Sequence, residues 1–248
     1  MHMLEVRDLT KRYPKFTLQQ VSFVLRPGRI MGLIGKNGAG KTTTLKCLLN
    51  LVRPDGGTVE MFGKDFRSHE ASCKQQIGVV LGGVDFYKHK KLAQITAVTK
   101  RFYAHWDDRA YAKYLEMFDL DPDKRVQELS AGMKVKYMVA LALSHQARLL
   151  IFDEPTSGLD PVARDDLLHL FRELVRDGSR SILYSTHITS DLEKCADDIT
   201  YIKDGRLLRS AAKEEFIRSF QGLKEPGEEG ELTLEEIMIR SERRGYHV

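Results

Sequence analysis

A chain of 248 residues, 42% hydrophobic and 30% charged, is long enough for one large α/β domain with insertions or two small ones, and its composition excludes fibrous and disordered classes. Thirty-nine Lys and Arg against 35 Asp and Glu leave a net charge of +4, too slight a basic excess to imply a nucleic-acid partner. No apolar run approaches the roughly 18 to 20 residues of a membrane helix, so any membrane involved must be spanned by another chain.

Residues Met1 to Thr10 alternate apolar and charged side chains, unlike a secretory leader, and a cytosolic setting is the expectation. Cys47, Cys73 and Cys195 are dispersed and lack C-x-x-C spacing. Buried free thiols are expected of them, not a disulfide framework or a zinc site. Further along, Leu4, Val6 and Leu9, then Val21, Phe23 and Leu25, alternate as strands of a small antiparallel sheet, and Pro27-Gly28 turns the chain. "RIMGLIG" at 29–35 reads as a buried strand, Thr42 to Leu51 as a helix, and "GTVEMFG" at 57–63 and "IGVVLGG" at 77–83 as strands.

Residues from about 89 to 147 look mainly helical, with Pro122 in a linker, and are the expected inserted subdomain. The basic run Lys88-His89-Lys90-Lys91 fits a solvated helix start and also fits contact with a partner or with lipid headgroups. "RLLIFDEP" at 148–155 is a continuous apolar strand of the parallel type, ended by Pro155. Asp160 to Asp177 carries Leu167, Leu168, Phe171, Leu174 and Val175 on one helical stripe, and "SILYSTH" at 181–187 is a further strand. "GLKEPGEEGE" at 222–231 is a charged linker, after which Thr233-Leu-Glu-Glu236 fits a capping box opening a final helix. This strand–helix alternation argues for a parallel sheet with helices on both faces.

"GKNGAGKT" at 35–42 matches G-x-x-x-x-G-K-[ST] in full, with an apolar strand before it and a helix after it. Its glycines leave backbone N–H groups free to converge on phosphate oxygens, Lys41 can set its ammonium against the β- and γ-phosphates, and Thr42 can offer a hydroxyl to Mg²⁺. A nucleoside triphosphate site is therefore expected. "LLIFDE" at 149–154 would deliver Asp153 and Glu154 to the C-terminal edge of the sheet beside that loop, one for the metal and one for the attacking water.

"DEPTSGLDP" at 153–161, with "LSAGM" upstream and "STH" downstream, resembles the ATP-binding-cassette (ABC) ATPases over nearly the whole chain. The resemblance implies an α/β P-loop NTPase fold, with a RecA-like parallel-sheet core, an N-terminal antiparallel β subdomain and an α-helical insert at about 86–147. The ATPase domain would span 1–220, and 221–248 would be a linker and short helix. Tyr13 would stack on adenine. Gly35, Asn37, Gly38, Ala39, Gly40, Lys41, Thr42 and Thr43 would cradle the phosphates of ATP, while Thr42 and Asp153 would hold Mg²⁺. Glu154 would be the catalytic base and His187 the switch histidine, with Lys41 a further catalytic candidate through its contact with the phosphates.

Asp160 would line an interface between two cassettes. Ser130 and the backbone of Gly132 would bind the γ-phosphate of ATP held by the second subunit, helped by the positive end of a helix from about Met133 to His145. The implied partners are that second cassette, as homodimer or heterodimer, and an integral membrane permease, at the cytoplasmic face of the cell membrane. Two departures stand out. Ala131 replaces the first glycine and Met133 the glutamine of the usual L-S-G-G-Q, a variant that resembles bacterial exporter ATPases of the ABC-2 type. Gly82 and Gly83 lie where the family has a glutamine; Gln75 and Gln76 precede the strand, and Asp85 is a candidate substitute. A soluble, non-transport cassette is the alternative, although neither long coiled-coil insertions nor tandem cassettes are present.

Overall fold

The computed structural model describes residues 2–81, 87–225 and 227–243. In chain order these form β1 (Leu4–Tyr13), β2 (Phe16–Leu25), β3 (Ile30–Ile34), α1 (Lys41–Leu48), β4 (Gly56–Met61), β5 (Lys64–Asp65), α2 (Glu70–Lys74) and β6 (Ile77–Leu81). Then come α3 (Leu92–Thr99), α4 (Asp108–Met117) and α5 (Ala131–Ser144), followed by β7 (Leu149–Asp153), α6 (Pro161–Val175), β8 (Ser181–Thr186) and α7 (Thr189–Cys195). The chain ends with β9 (Asp198–Lys203), β10 (Arg206–Ala212), α8 (Lys213–Ser219) and α9 (Leu234–Arg243).

The strands lie in the order β5-β4-β1-β2-β10-β9-β3-β8-β7-β6. From β9 to β6 every neighbour is parallel, the arrangement that alternating strands and helices require. The N-terminal strands are antiparallel as expected, yet they continue the same sheet, because β2 meets β10 in parallel at Gln19 and Arg206. Strand parity divides the core. Leu149, Ile151 and Leu183 face α1 with Leu45 and Leu48, whereas Leu150, Phe152, Ile182 and Tyr184 face α6 with Leu167, Leu168 and Phe171.

Helix boundaries shift for local reasons. The helix expected over 42–51 stops at Leu48, since Asn50 takes φ 55° and the Asn50 and Leu51 N–H groups close back on the Cys47 and Lys46 carbonyls. α6 begins at Pro161 and ends before Asp177, with the Asp160 carboxylate accepting from the Val162 and Ala163 N–H groups. The capping box at Thr233 forms: Thr233 N–H donates to Glu236, and Glu236 N–H to the Thr233 hydroxyl. Residues 92–144, between β6 and β7, are mainly helical and are tied together by Thr96, whose hydroxyl lies 2.7 Å from Tyr111 and 2.9 Å from Tyr137. All three cysteines are buried and free, and burial pushes the Cys47 and Cys195 thiols up to about 11.

Phe171 is fully buried, its ring centroid 4.7 Å from Phe152 and 5.7 Å from Tyr184, so it joins α6 to two strands that carry site residues. Phe171→Ala is expected to cost about 3–5 kcal/mol of stability, read as a lower urea midpoint in equilibrium unfolding.

Candidate active site

Parallel pairing brings three strand ends to one edge of the sheet. β8 lies between β3 and β7, with Ile34 opposite Thr186 and Asp153 opposite Ser185. The phosphate loop leaves β3 at that edge, and β7 and β8 deliver Asp153, Ser185 and His187 to it.

The loop is shaped by close backbone approaches. Gly35 has φ 152°, and a Cβ there would stand 2.2 Å from the Ile202 carbonyl oxygen; one on Gly40, at φ 116°, would stand 3.0 Å from the Phe16 and Leu18 side chains. Ala39 accepts a hydrogen bond from the Gly205 N–H at 3.0 Å, so the loop rests on the β9–β10 turn. Asn37 and Gly38 are exposed, Ala39 and Gly40 are buried, and Thr43 is half-buried. The Lys41 ammonium, only 6% exposed, donates to the carbonyls of Gly35 at 2.7 Å and Lys36 at 3.3 Å and lies 3.5 Å from Glu154 Oε1.

Thr42 donates its hydroxyl to Asp153 Oδ2 at 2.9 Å, and Ser185 donates to Asp153 Oδ1 at 2.5 Å. Glu154 adopts φ 52°, a left-handed conformation uncommon for a residue with a side chain, held by its N–H donating to the Ser185 carbonyl at 3.0 Å. Its other carboxylate oxygen lies 2.9 Å from His187 Nδ1. Lys41, Thr42, Asp153, Glu154 and His187 thus form one connected group, as their motifs predict. Ser185 was not foreseen; its only signal is the parallel register, which sequence spacing does not display.

Thr42 and Asp153 offer hard oxygen donors at one point, the chemistry Mg²⁺ prefers. Among the described residues no cluster of three or more His, Cys, Asp and Glu side chains could hold a metal. A cation at Thr42 and Asp153 would therefore complete its shell with phosphate oxygens and water, a common pattern for Mg²⁺.

Tyr13 ends β1 and is 41% exposed, with the Lys11 ammonium 5.6 Å from its ring centroid. Its hairpin partner Phe16 touches the loop at Gly40, so the hairpin stands beside the phosphate site. Ser130, Gly132 and Asp160 lie at the starts of α5 and α6. α5 starts at Ala131, earlier than about 133, because Ser130 caps it: the Ser130 hydroxyl accepts from the Met133 N–H at 3.2 Å. Gly132 is buried, and a Cβ there would stand 3.4 Å from Ala163 Cβ, so this turn packs on the start of α6. The hydrogen bonds of Ser130 and Asp160 serve their own helix starts.

Gly82, Gly83 and Asp85 lie outside the described residues. Gln75 bonds the Phe102 carbonyl and the Ala104 N–H, and Gln76 accepts from Arg148, so both serve the helical insert and its return.

Residues 18–157, more than half of the chain, match the family model described as ABC transporter. The bacitracin transport ATP-binding protein BcrA of Bacillus licheniformis is 32% identical over 209 residues, which is 83% of this chain and 68% of that protein. The Nod factor export ATP-binding protein I of Burkholderia orbicola (strain AU 1054) is 35% identical over 222 residues, 87% of this chain and 73% of that protein. A solved ATP-binding subunit of an ABC transporter superposes with a TM-score of 0.82 at 29% identity, covering 96% of this chain and 98% of that one. The chain belongs to the ABC transporter family, with the P-loop NTPase fold. Within it, the chain is of the ATP-binding, ATP-hydrolysing kind of subunit.

Gly35→Ala is expected to push the loop off the Ile202 carbonyl and to weaken ATP binding by about tenfold or more while the far-UV circular dichroism stays unchanged; a fluorescent ATP analogue measures the loss.

Proposed function

We propose that this chain hydrolyses ATP at the edge where β3, β7 and β8 end, as one half of a cassette dimer that powers a separate membrane permease in an export system. The observation that carries the reading is the division of the Glu154 carboxylate, with Oε1 on the Lys41 ammonium and Oε2 on His187 Nδ1, beside the Asp153–Thr42 pair.

In this reading Lys41 and the loop N–H groups bind the β- and γ-phosphates and Tyr13 stacks on the base. Thr42 and Asp153 hold Mg²⁺, which neutralises charge on the phosphate oxygens when bound. Glu154 accepts the proton of a water that attacks the γ-phosphorus while the bond to the bridging oxygen of ADP breaks. His187 orients Glu154 and that water. Ser130 and the N–H groups at the start of α5 bind the γ-phosphate of ATP on a second cassette.

Among the described residues no helix is long and apolar enough to cross a membrane. In this reading the permease is a separate chain, and this subunit works peripherally on the cytoplasmic face. A cleft between β6 and the helical insert, bordered by Val79, Tyr87, Ile95, Tyr103 and Met138, is the docking site assigned to it, with the exposed basic run 88–91 alongside. Export is supported by the transport and export systems of the relatives and by the "LSAGM" form of the signature.

Glu154→Gln should retain ATP binding, lose about a hundredfold or more in hydrolysis, and accumulate as an ATP-bound dimer on size-exclusion chromatography. Hydrolysis at the parent rate would reassign the base. Ser130→Arg should bind ATP as a monomer and fail to dimerise, and an intact ATP-induced dimer would remove Ser130 from the shared site.

A further inference from the structure

The C-terminal helix α9 reaches the phosphate loop. Its first turn is anchored by buried Leu234 and Ile237 and by the Leu234 N–H donating to Glu193 Oε1 at 2.8 Å, while Arg240 donates to the Leu223 carbonyl at 3.1 Å. That anchoring carries Glu242, at the other end of the helix, to the β9–β10 turn. There Tyr201 donates its hydroxyl to Glu242 Oε1 at 2.9 Å, and Lys203 donates to the Ser241 carbonyl at 2.8 Å. The second Glu242 oxygen lies 3.1 Å from the ammonium of Lys36, the second residue of the phosphate loop, and 3.9 Å from that of Lys203. The Glu242 side chain is nine-tenths buried, and that of Lys36 is half exposed.

We propose that Glu242 is a positioning residue for the phosphate loop, and that α9 acts through it to hold the loop in its ATP-binding form. Lys36 occupies an unspecified position of the motif, so its side chain is free to serve as a handle. The loop already rests on the same strand and turn, through Gly35 against Ile202 and Ala39 on Gly205. α9 grips that strand at Tyr201 and Lys203 and adds a third tether at Lys36. A loop ordered in advance binds triphosphate more tightly, because less ordering remains to be done on binding. The relation is reciprocal: whatever the docked helix adds to ATP affinity, bound ATP returns as tighter docking of α9.

The inference rests on the reading of 35–42 as the ATP cradle. Glu242→Gln keeps an acceptor for Tyr201 and removes the charge on Lys36. In the full chain its KM for ATP should rise roughly fivefold, the scale of a partly buried ion pair, with kcat changed less than about twofold. Lys36→Met should give the same rise, and the double variant no further one. An unchanged KM, additive effects, or a melting temperature lowered with KM untouched would overturn the proposal. So would a fall in KM, the sign expected if the only effect were to release positive charge beside the phosphates.

Hydrogen exchange supplies a second reading, using Glu154→Gln so that ATP persists. ATP should slow exchange at the α9 amides, and that slowing should vanish when Glu242→Gln is added; equal slowing in both overturns the brace. Lys41→Ala separates the two levels. Undiminished ATP binding there removes the cradle itself, whereas lost binding there with an unaltered KM in Glu242→Gln removes only the role of Glu242.

Discussion

Thr42 and Asp153 meet at 2.9 Å although an entire strand, β8, runs between β3 and β7. Strand parity makes this possible. Leu149 and Ile151 turn their side chains to the α1 face, so Asp153 emerges on that face as well, toward the helix that begins at Lys41 and Thr42. Leu183 faces the same way on β8, which places Ser185 between the two and lets it hold Asp153. A one-residue slip in either strand would exchange the α1 and α6 faces and turn the acid or its serine away from the loop. The apolar pattern that buries the sheet and the chemistry at its edge are therefore fixed by one register.

Glu154 follows at the opposite parity, and its positive φ re-aims it. Without that twist the strand pattern would direct its side chain toward the α6 face. With it, the carboxylate lies between Lys41 and His187. Lys41 is nearly buried, and desolvating its charge is offset by two carbonyls and a carboxylate. Triphosphate oxygens on the loop would supply the same compensation, which frees Glu154 for water. The ground-state contacts thus hold each group close to its working place with every charge answered.

The motifs made the connected group of Lys41, Thr42, Asp153, Glu154 and His187 legible because each lies within a short stretch whose strand-to-helix context is also visible. The parallel core and its helical cover were legible from the same alternation. Features set by pairing between distant segments were not. The register that puts Ser185 on Asp153 leaves no trace in spacing, and neither does the reach of Glu242 back to Lys36. Local hydrogen bonding moved the helix ends: Asn50 closes α1 early, and Ser130 opens α5 early, so Gly132 is inside a helical turn and not ahead of it. The N-terminal strands read correctly as antiparallel, but they join the core sheet through the pairing of β2 with β10, which lies far off in sequence.

α6 links the two groups of site residues. Its first turn is fixed to the acids by the short stretch from Pro155 to Asp160, which folds back through Ser157 N–H on the Glu154 carbonyl and Leu159 N–H on the Thr156 carbonyl. Ala163, in that first turn, packs on Gly132 of α5, and Arg164 forms an ion pair at 3.0 Å with buried Asp191 of α7, just beyond His187. In the dimer proposed above, Glu154 and His187 serve the nucleotide this chain holds, while Ser130 and Gly132 serve the nucleotide of its neighbour. The start of α6 touches the supports of both sets. Its close packing against α5 and α7 leaves little room for one to shift alone, so a change in the state of one ATP site has a direct mechanical route to the other.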